Sequence, residues 1–226
     1  MQISTKLFNQ QTLERLSELH SEIQNRQARI ATGKNILHAS DDPIAAANIS
    51  VAKEQKQELS RYLENIDRAK NKLELTEGAM DQTINILTRI YELTIQAEND
   101  VNSSSDRAAI KMEITQLKDA MFDVVNTEDA SGQALFAGYR VNQNAFAKDL
   151  DGVIQYMGDR GQNYLKIAEN MNLSTGIDGA TAFLRVPSEN DHKSVFRVIE
   201  AIEDGFDDET FPDIAISDLQ RGIEHF

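Results

Sequence analysis

Small and apolar residues recur every seven positions along the segment from Asp42 to Val101. No proline follows Pro43 in this segment, and Gly78 is its only glycine. Two interleaved heptad series of this length predict a single helix of roughly 90 Å, with an apolar seam of the coiled-coil type. The first series is Ala45, Ala52, Leu59, Ile66, Leu73, Met80, Leu87, Thr94 and Val101, and the second is Tyr62, Ala69, Thr76, Thr83, Ile90 and Ala97.

Capping residues directly precede this helix. Ser40, Asp41 and Asp42 offer side-chain acceptors to the free N–H groups of the first turn, and Pro43 suits the first helical position. The two carboxylates also place negative charge at the positive end of the helix dipole. These four residues are therefore predicted to cap the long helix.

A shorter helix is predicted from about Asp106 to Asn126, with its cap at Ser104 or Ser105. The short connection predicts an antiparallel hairpin, in which the second helix reaches only the last third of the first. A later segment, another subunit or missing sequence must then cover the rest of the seam. The uncovered positions are Leu59, Ile66 and Leu73, and the heptad face of the shorter helix is Ile110, Ile114, Leu117, Met121 and Val124.

The first 40 residues carry a narrow apolar stripe, in which Leu16, Ile23 and Ile30 lie seven positions apart. Polar residues separate them, and Gly33 predicts the end of the helix. A narrow stripe is typical of a helix that is stable only when it packs on a partner. The other interpretation is a helix docked within its own domain.

Residues 131–187 differ from the helical segments in their sequence pattern, because glycines recur and the apolar runs are short. Gly158–Gly161 is predicted as the loop of a hairpin, and Asp149–Gly152 as a turn. Short apolar runs between turn signals predict the strands of a small β-rich module. The runs are Ala134–Ala137, Val153–Tyr156, Tyr164–Ile167 and Phe183–Val186.

Residues 188–226 return to helical spacing. A short amphipathic helix is predicted at 194–205, followed by the acidic loop Asp207–Glu209 and a final helix around 214–223. The helical pattern stops at Phe226 without a capping residue. This ending indicates that the chain is incomplete, or that its end docks elsewhere.

The predicted fold class is mainly α with a small β-rich module. A long antiparallel helical rod, residues 41–130, is expected to carry β-hairpins at its distal end, residues 131–187. Residues 1–40 are expected to form a separate N-terminal segment, and residues 188–226 to form short returning helices.

Composition and charge exclude several functions. The chain has 226 residues and no cysteine. Because its net charge is −14 and it has no Lys/Arg-rich patch, we expect no nucleic-acid partner. Neither a signal-peptide core nor an apolar run long enough to span a bilayer is present, so we expect no membrane contact. If the chain is exported, it uses a route without a classical signal.

Residues that could carry chemistry are scattered. The four histidines lie far apart, and without cysteines no zinc-thiolate site can form. Asp149–Gly152 resembles the start of a calcium loop but lacks the glutamate at the twelfth position. We therefore predict no metal, no cofactor and no catalytic site, and expect that the protein is not an enzyme.

Six short motifs are the most distinctive part of the sequence. They are Ile3–Thr5, Gln27–Lys34, Ala39–Pro43, Ala45–Ala47, Glu92–Ala97 and Leu135–Tyr139. Together they resemble the flagellin family, and the match spans about residues 1–170. Within the family, the Ser-Asp-Asp-Pro motif and the run after the second helix are similar to the junction subunits between hook and filament.

This resemblance implies a structural subunit secreted through the flagellar type III export apparatus. Family members have terminal segments that are disordered in the monomer and become helical on assembly. The implied function is an adaptor ring at the hook–filament junction in the extracellular flagellum. The implied partners are hook-associated protein 1, flagellin or the filament cap, an export chaperone and further copies of the chain.

Two alternatives remain open at this point. A divergent flagellin would form the filament itself, and a non-flagellar coiled-coil scaffold would stay in the cytosol. The implied assembly interface consists of the six stripe and seam positions Leu16, Ile23, Ile30, Leu59, Ile66 and Leu73. Because family members return along the rod with a long C-terminal helix, this chain as given is not expected to assemble normally.

Overall fold

A computed structural model describes residues 2–99, 103–188, 191–207 and 213–226. The chain divides into two compact units, residues 1–60 and residues 61–226. The last seam position, Val101, and most of the predicted acidic loop, with Asp208 and Glu209, lie outside the described residues.

The first unit contains helix α1, Gln2–Thr32, and the start of helix α2, Pro43–Ala97. Helix α1 ends where Gly33 takes a positive φ of 65°, a conformation that favours glycine at the end of a helix. The expected disorder of this segment in the isolated chain stays a prediction.

Helix α2 is the predicted long helix, and between Ala69 and Ala97 most of its heptad seam is buried. The three threonines of the seam satisfy their hydroxyls locally. Thr76, Thr83 and Thr94 each donate to the carbonyl four residues earlier, at 2.8–2.9 Å, so their burial leaves no unpaired polar group. The buried seam positions are Ala69, Thr76, Thr83, Leu87, Ile90, Thr94 and Ala97.

Helix α3, Ser104–Val125, begins earlier than predicted. Ser103 is the N-cap, and it forms a reciprocal capping box with Asp106. The predicted caps Ser104 and Ser105 are therefore wrong, because only the residue three before Asp106 can exchange both bonds. The hydroxyl and N–H of Ser103 lower the pKa of the Asp106 carboxylate. Across the hairpin, the Arg89 guanidinium lies 2.8 Å from the Glu113 carboxylate.

Within the described residues, the strands form three separate two-stranded antiparallel pairs, and the last pair extends beyond the predicted β-rich module to Lys193. The β1–β2 pair is joined through Asp149–Gly152, where Gly152 has a φ of 80°, so the predicted turn is confirmed. Gly158–Gly161 joins no paired strands, which makes that hairpin prediction wrong. The strands are β1 (Phe146–Lys148), β2 (Ile154–Tyr156), β3 (Tyr164–Ala168), β4 (Met171–Ser174), β5 (Val186–Pro187) and β6 (His192–Lys193).

One predicted strand is absent, and of another, Phe183–Val186, only Val186 belongs to a strand, as the first residue of β5. Ala134–Ala137 is a buried loop with one isolated bridge, between Ala134 and Glu128. Phe183 belongs to the short helix α4, Gly179–Phe183, whose N-cap is Asp178. The apolar residues of both runs enter the core, and most of them do so outside any strand.

The last two helices, α5 (Val195–Asp207) and α6 (Asp213–His225), contribute buried residues to the core of the second unit. Leu87 of α2 lies close to Gly222 of α6, where an added Cβ would be 3.8 Å from Leu87 Cδ1. Four phenylalanines meet in edge-to-face contacts at the centre. They are Phe136, Phe146, Phe183 and Phe196. The predicted fold class, mainly α with a small β-rich module, is confirmed.

A buried ion pair links α3 to α5. Glu203 accepts from Lys118 and, at 2.8 Å, from the Thr115 hydroxyl. Because all three groups are paired, the carboxylate is tolerated at this largely buried position. The pair fixes α5 against α3 and thereby helps to position α6, which follows it in the chain.

Candidate assembly surface

The six sequence-predicted interface residues are all exposed, which makes them available to a partner. A fully buried leucine or isoleucine contributes about 1.5–3 kcal/mol, so a row of exposed ones favours association. Their exposed fractions are Leu16 58%, Ile23 52%, Ile30 83%, Leu59 61%, Ile66 39% and Leu73 37%. Their role as an interface stays a prediction.

The exposed seam positions of α2, Leu59, Ile66 and Leu73, form a stripe that ends beside a groove. Leu73 borders an open groove of about 430 Å³, whose walls include Met80, Ile177, Ala182 and Phe226. In this groove Phe226 packs tilted against Phe183, with ring centroids 5.3 Å apart. The last residues of the chain therefore border the stripe where the buried seam gives way to the exposed one.

Charge is distributed very unequally between the units. Residues 1–60 contain seven Lys or Arg and seven Asp or Glu, so their net charge is zero. The entire net charge of −14 therefore lies in residues 61–226. Like charges repel within about 10 Å at ordinary ionic strength, whereas a neutral surface with mixed signs meets copies of itself without that penalty.

The predicted four-residue cap of α2 is only partly correct. Asp42 caps the helix, because its Oδ1 accepts from the N–H of Ala45 at 3.0 Å, and Pro43 is the first helical residue. Ser40 lies in the preceding turn. Asp41 turns away from α2 and accepts from the N–H groups of the linker, which lowers the pKa of its carboxyl.

Sequence reasoning missed the part that Asp159 plays in the second unit. Its Oδ1 accepts from the N–H groups of Tyr139 and Gly161, both at 2.8 Å, and these bonds lower its pKa. The Tyr156 hydroxyl lies 2.9 Å and 2.6 Å from the carbonyl oxygens of Phe136 and Asp159. Burial raises the pKa of Tyr156 to about 12. These bonds hold two loops together, and the glycines flanking Asp159 were the only sequence signal.

Asp218 of α6 is another charged group inside this unit, with a side chain only 1% exposed. It accepts from the Ser188 hydroxyl at 2.7 Å, the Lys193 ammonium at 2.8 Å and the Arg221 guanidinium at 3.2 Å. Burial alone would raise the pKa of Asp218, but these donors and charges outweigh it and lower the pKa. The cluster fastens β5 and β6 to α6.

We expect Asp218→Asn to destabilise the second unit by about 1.5–3 kcal/mol at neutral pH, the range for hydrogen bonds to charged groups. The folded-state pKa is depressed, so this stabilisation is complete above the ordinary Asp value of 3.8 and is lost as the pH falls through the folded value. Urea unfolding of both proteins from pH 7 down to pH 3 should show the difference shrinking below about pH 4. Asp204→Asn, an exposed carboxylate on α5, is the control and should change little at any pH. A difference that stays constant down to pH 3 would contradict the prediction.

No group of three or more metal-ligating side chains occurs within residues 2–99, 103–188, 191–207 and 213–226. Among the helices that the structure describes, none is both long and apolar enough to cross a bilayer.

Comparison with known families identifies the helical part of the chain. Residues 3–141 match the bacterial flagellin N-terminal helical region. The match covers more than half of the chain, and the chain belongs to the flagellin family.

Within this family the chain is similar to junction proteins. It is 29% identical over 149 residues to flagellar hook-associated protein 3 of Escherichia coli strain K12, covering 66% of this chain and 47% of that protein. It is 26% identical over 188 residues to the Salmonella typhimurium protein of the same name, covering 83% and 58%. The chain thus spans about half the length of these relatives.

A solved structure agrees with these matches. The FlgL protein of Xanthomonas campestris superimposes with a TM-score of 0.56 at 32% identity, covering 60% of this chain and 44% of that one. The resemblance deduced from the sequence motifs is therefore confirmed at the level of the family and of its hook-associated members.

Proposed function

We propose that this protein is a structural subunit of the bacterial flagellum and acts as an adaptor at the junction between hook and filament. The observation that carries the proposal is the exposed heptad stripe on α1 and α2. It occurs in a chain similar to hook-associated protein 3 of two bacteria. A subunit of this kind functions by packing, and it needs no catalytic group.

The stripes supply the packing energy. Copies arranged in a ring would place the stripe of α1 and the uncovered seam of α2 against neighbouring helices, as heptad surfaces require. The neutral charge of residues 1–60 allows close approach. The repulsion between the acidic second units favours an arrangement that keeps those units apart.

The proposal includes partners and location. Hook-associated protein 1 would lie on the hook side, and flagellin or the filament cap on the other. An export chaperone would cover the exposed stripes before secretion through the type III apparatus. The subunit would then reside outside the cell, in the flagellum.

Immunogold labelling of intact flagella tests the proposal directly. Antibodies against this chain should label one short band where the filament meets the hook. Label along the whole filament would support the alternative of a divergent flagellin. Cells whose label remains in the cytosol, with none on the flagella, would support a non-flagellar scaffold. Either of these last two outcomes would overturn the junction assignment.

We predict that this chain self-associates through the uncovered stripe on α2, and that Ile66→Asp makes it more monomeric because a charge at the contact must be desolvated. Light scattering at matched concentrations measures this. Raising the salt concentration should strengthen association of the unsubstituted chain, because salt screens the repulsion between acidic units.

The matched control is Gln57→Asp, which adds the same charge on the opposite face of α2, since nine residues at 100° each bring it half a turn from Ile66. This variant should associate like the unsubstituted chain. A monodisperse monomer that neither substitution affects would mean that the stripe already has a partner within the chain.

A further inference from the structure

The carboxylate of Asp41 contacts several groups of the turn between α1 and α2, residues 33–42. Asp41 Oδ2 accepts from the N–H groups of Leu37 and His38, both at 3.1 Å. It also lies 3.8 Å from Nη2 of Arg29, in the last turn of α1. The N–H of Asp41 donates to the carbonyl of His38 at 3.0 Å. One side chain thus contacts both the end of α1 and the linker that leads into α2.

Partly buried residues are concentrated at the same turn. Nearly every residue from 6 to 60 is exposed. Apart from Glu58, the partly buried ones all lie at the joint between α1 and α2, which consists of the end of α1, the linker and the first turn of α2. They come from all three segments, so partial burial in these residues is concentrated where the bonds of Asp41 lie. These residues are Ala28, Ile36, Leu37, Ala45 and Ala46.

We propose that Asp41 is a positioning residue that fixes the direction in which α1 leaves α2. A freely flexible ten-residue linker would let its ends move apart to a root-mean-square distance on the order of 20 Å. The bonds of Asp41 remove most of that freedom from the chain between Arg29 and Asp42. The two neighbouring aspartates therefore have separate tasks, since Asp42 caps α2 and Asp41 orders the joint.

This inference concerns the geometry of one joint and does not require the proposed function. If that function is correct, the joint determines whether the stripes of α1 and α2 can meet their neighbours at the same time.

Distance measurement between two spin labels tests the proposal, and the absence of cysteine makes labelling specific. Asn25→Cys in α1 and Gln57→Cys in α2 replace exposed residues on either side of the joint. We expect one narrow distance distribution. Adding Asp41→Ala should widen it by about twofold or more, toward that of a flexible linker.

Asp42→Ala is the matched control, because it removes a neighbouring carboxylate and the cap of α2 but none of the bonds of Asp41. It should leave the distance distribution unchanged. Arg29→Ala removes only the ion pair, so it should widen the distribution less than Asp41→Ala does. Circular dichroism of each variant checks that the helices remain.

Hydrogen exchange gives a second readout at the joint itself. The amides of Leu37 and His38 should exchange slowly in the unsubstituted chain and quickly in Asp41→Ala, but slowly in Asp42→Ala. The proposal is overturned if the unsubstituted chain already shows a broad distribution, if Asp41→Ala leaves it narrow, or if Asp42→Ala widens it equally.

Discussion

Gly138→Ala should destabilise the second unit by roughly 3 to 5 kcal/mol, because it combines backbone strain with a steric clash. Gly138 has a φ of 69°, which L residues with a side chain adopt at a cost. An added Cβ would lie 2.3 Å from Oδ1 and 2.4 Å from the carbonyl oxygen of Asp159. The clash would separate the loops that Asp159 joins. Urea unfolding followed by circular dichroism measures the loss.

Gly152→Ala separates the two causes. Gly152 also has a positive φ, of 80°, but an added Cβ would meet nothing within 4 Å. It should therefore cost only the backbone strain, about 1–3 kcal/mol. If both substitutions cost the same, the close approach between Gly138 and Asp159 contributes nothing to stability.

Leu87→Ala is expected to cost about 2–4 kcal/mol, the loss typical of a leucine in a close-packed core. Leu87 has no exposed surface and lies on the face of α2 that α6 approaches through Gly222. Truncation removes these contacts and leaves a cavity that two helices cannot easily close. The thermal unfolding midpoint of the second unit should fall accordingly.

Leu63→Ala is the control on the same helix. Leu63 is 63% exposed, so its truncation should change stability by less than about 0.5 kcal/mol. An unchanged midpoint for Leu87→Ala, or an equal fall for Leu63→Ala, would show that burial along α2 does not follow the heptad seam.

The long helix was predictable because its signal is repeated many times. The five positions Ala69, Thr76, Thr83, Ile90 and Ala97 of the second heptad series are all buried. Each heptad confirms the phase of the previous one, so a single polar position such as Thr83 does not obscure the pattern. The exposure of Leu59 was also predictable, because the second helix was too short to reach it.

The β-rich module was harder to predict because runs of four residues carry no usable period. Ala134–Ala137 is apolar because both sides of this loop are buried, and its backbone bonds partners far along the chain. The carbonyl of Phe136, for example, accepts from the N–H of Gly179 at 2.8 Å. Strand pairing depends on such distant contacts, which local spacing does not contain.

The N-caps of α2 and α3 were only partly predictable from the sequence. Sequence spacing places several acceptors near a helix start, at Ser103–Ser105 and at Ser40–Asp42, but does not say which one points at the helix. In the structure the N-caps are Ser103, which has Asp106 three residues later, and Asp42, which precedes Pro43. The part played by Asp41 depends on Arg29, twelve residues away, and could not be read from the motif alone.

The unequal division of charge gives this chain the composition of a surfactant. Residues 1–60 are neutral and present apolar side chains, like the tail of a detergent, and residues 61–226 carry all the net charge, like its head group. Molecules of this kind stay dispersed when dilute and gather above a critical concentration that counter-ions lower. The ionic environment would therefore set the concentration at which subunits begin to assemble.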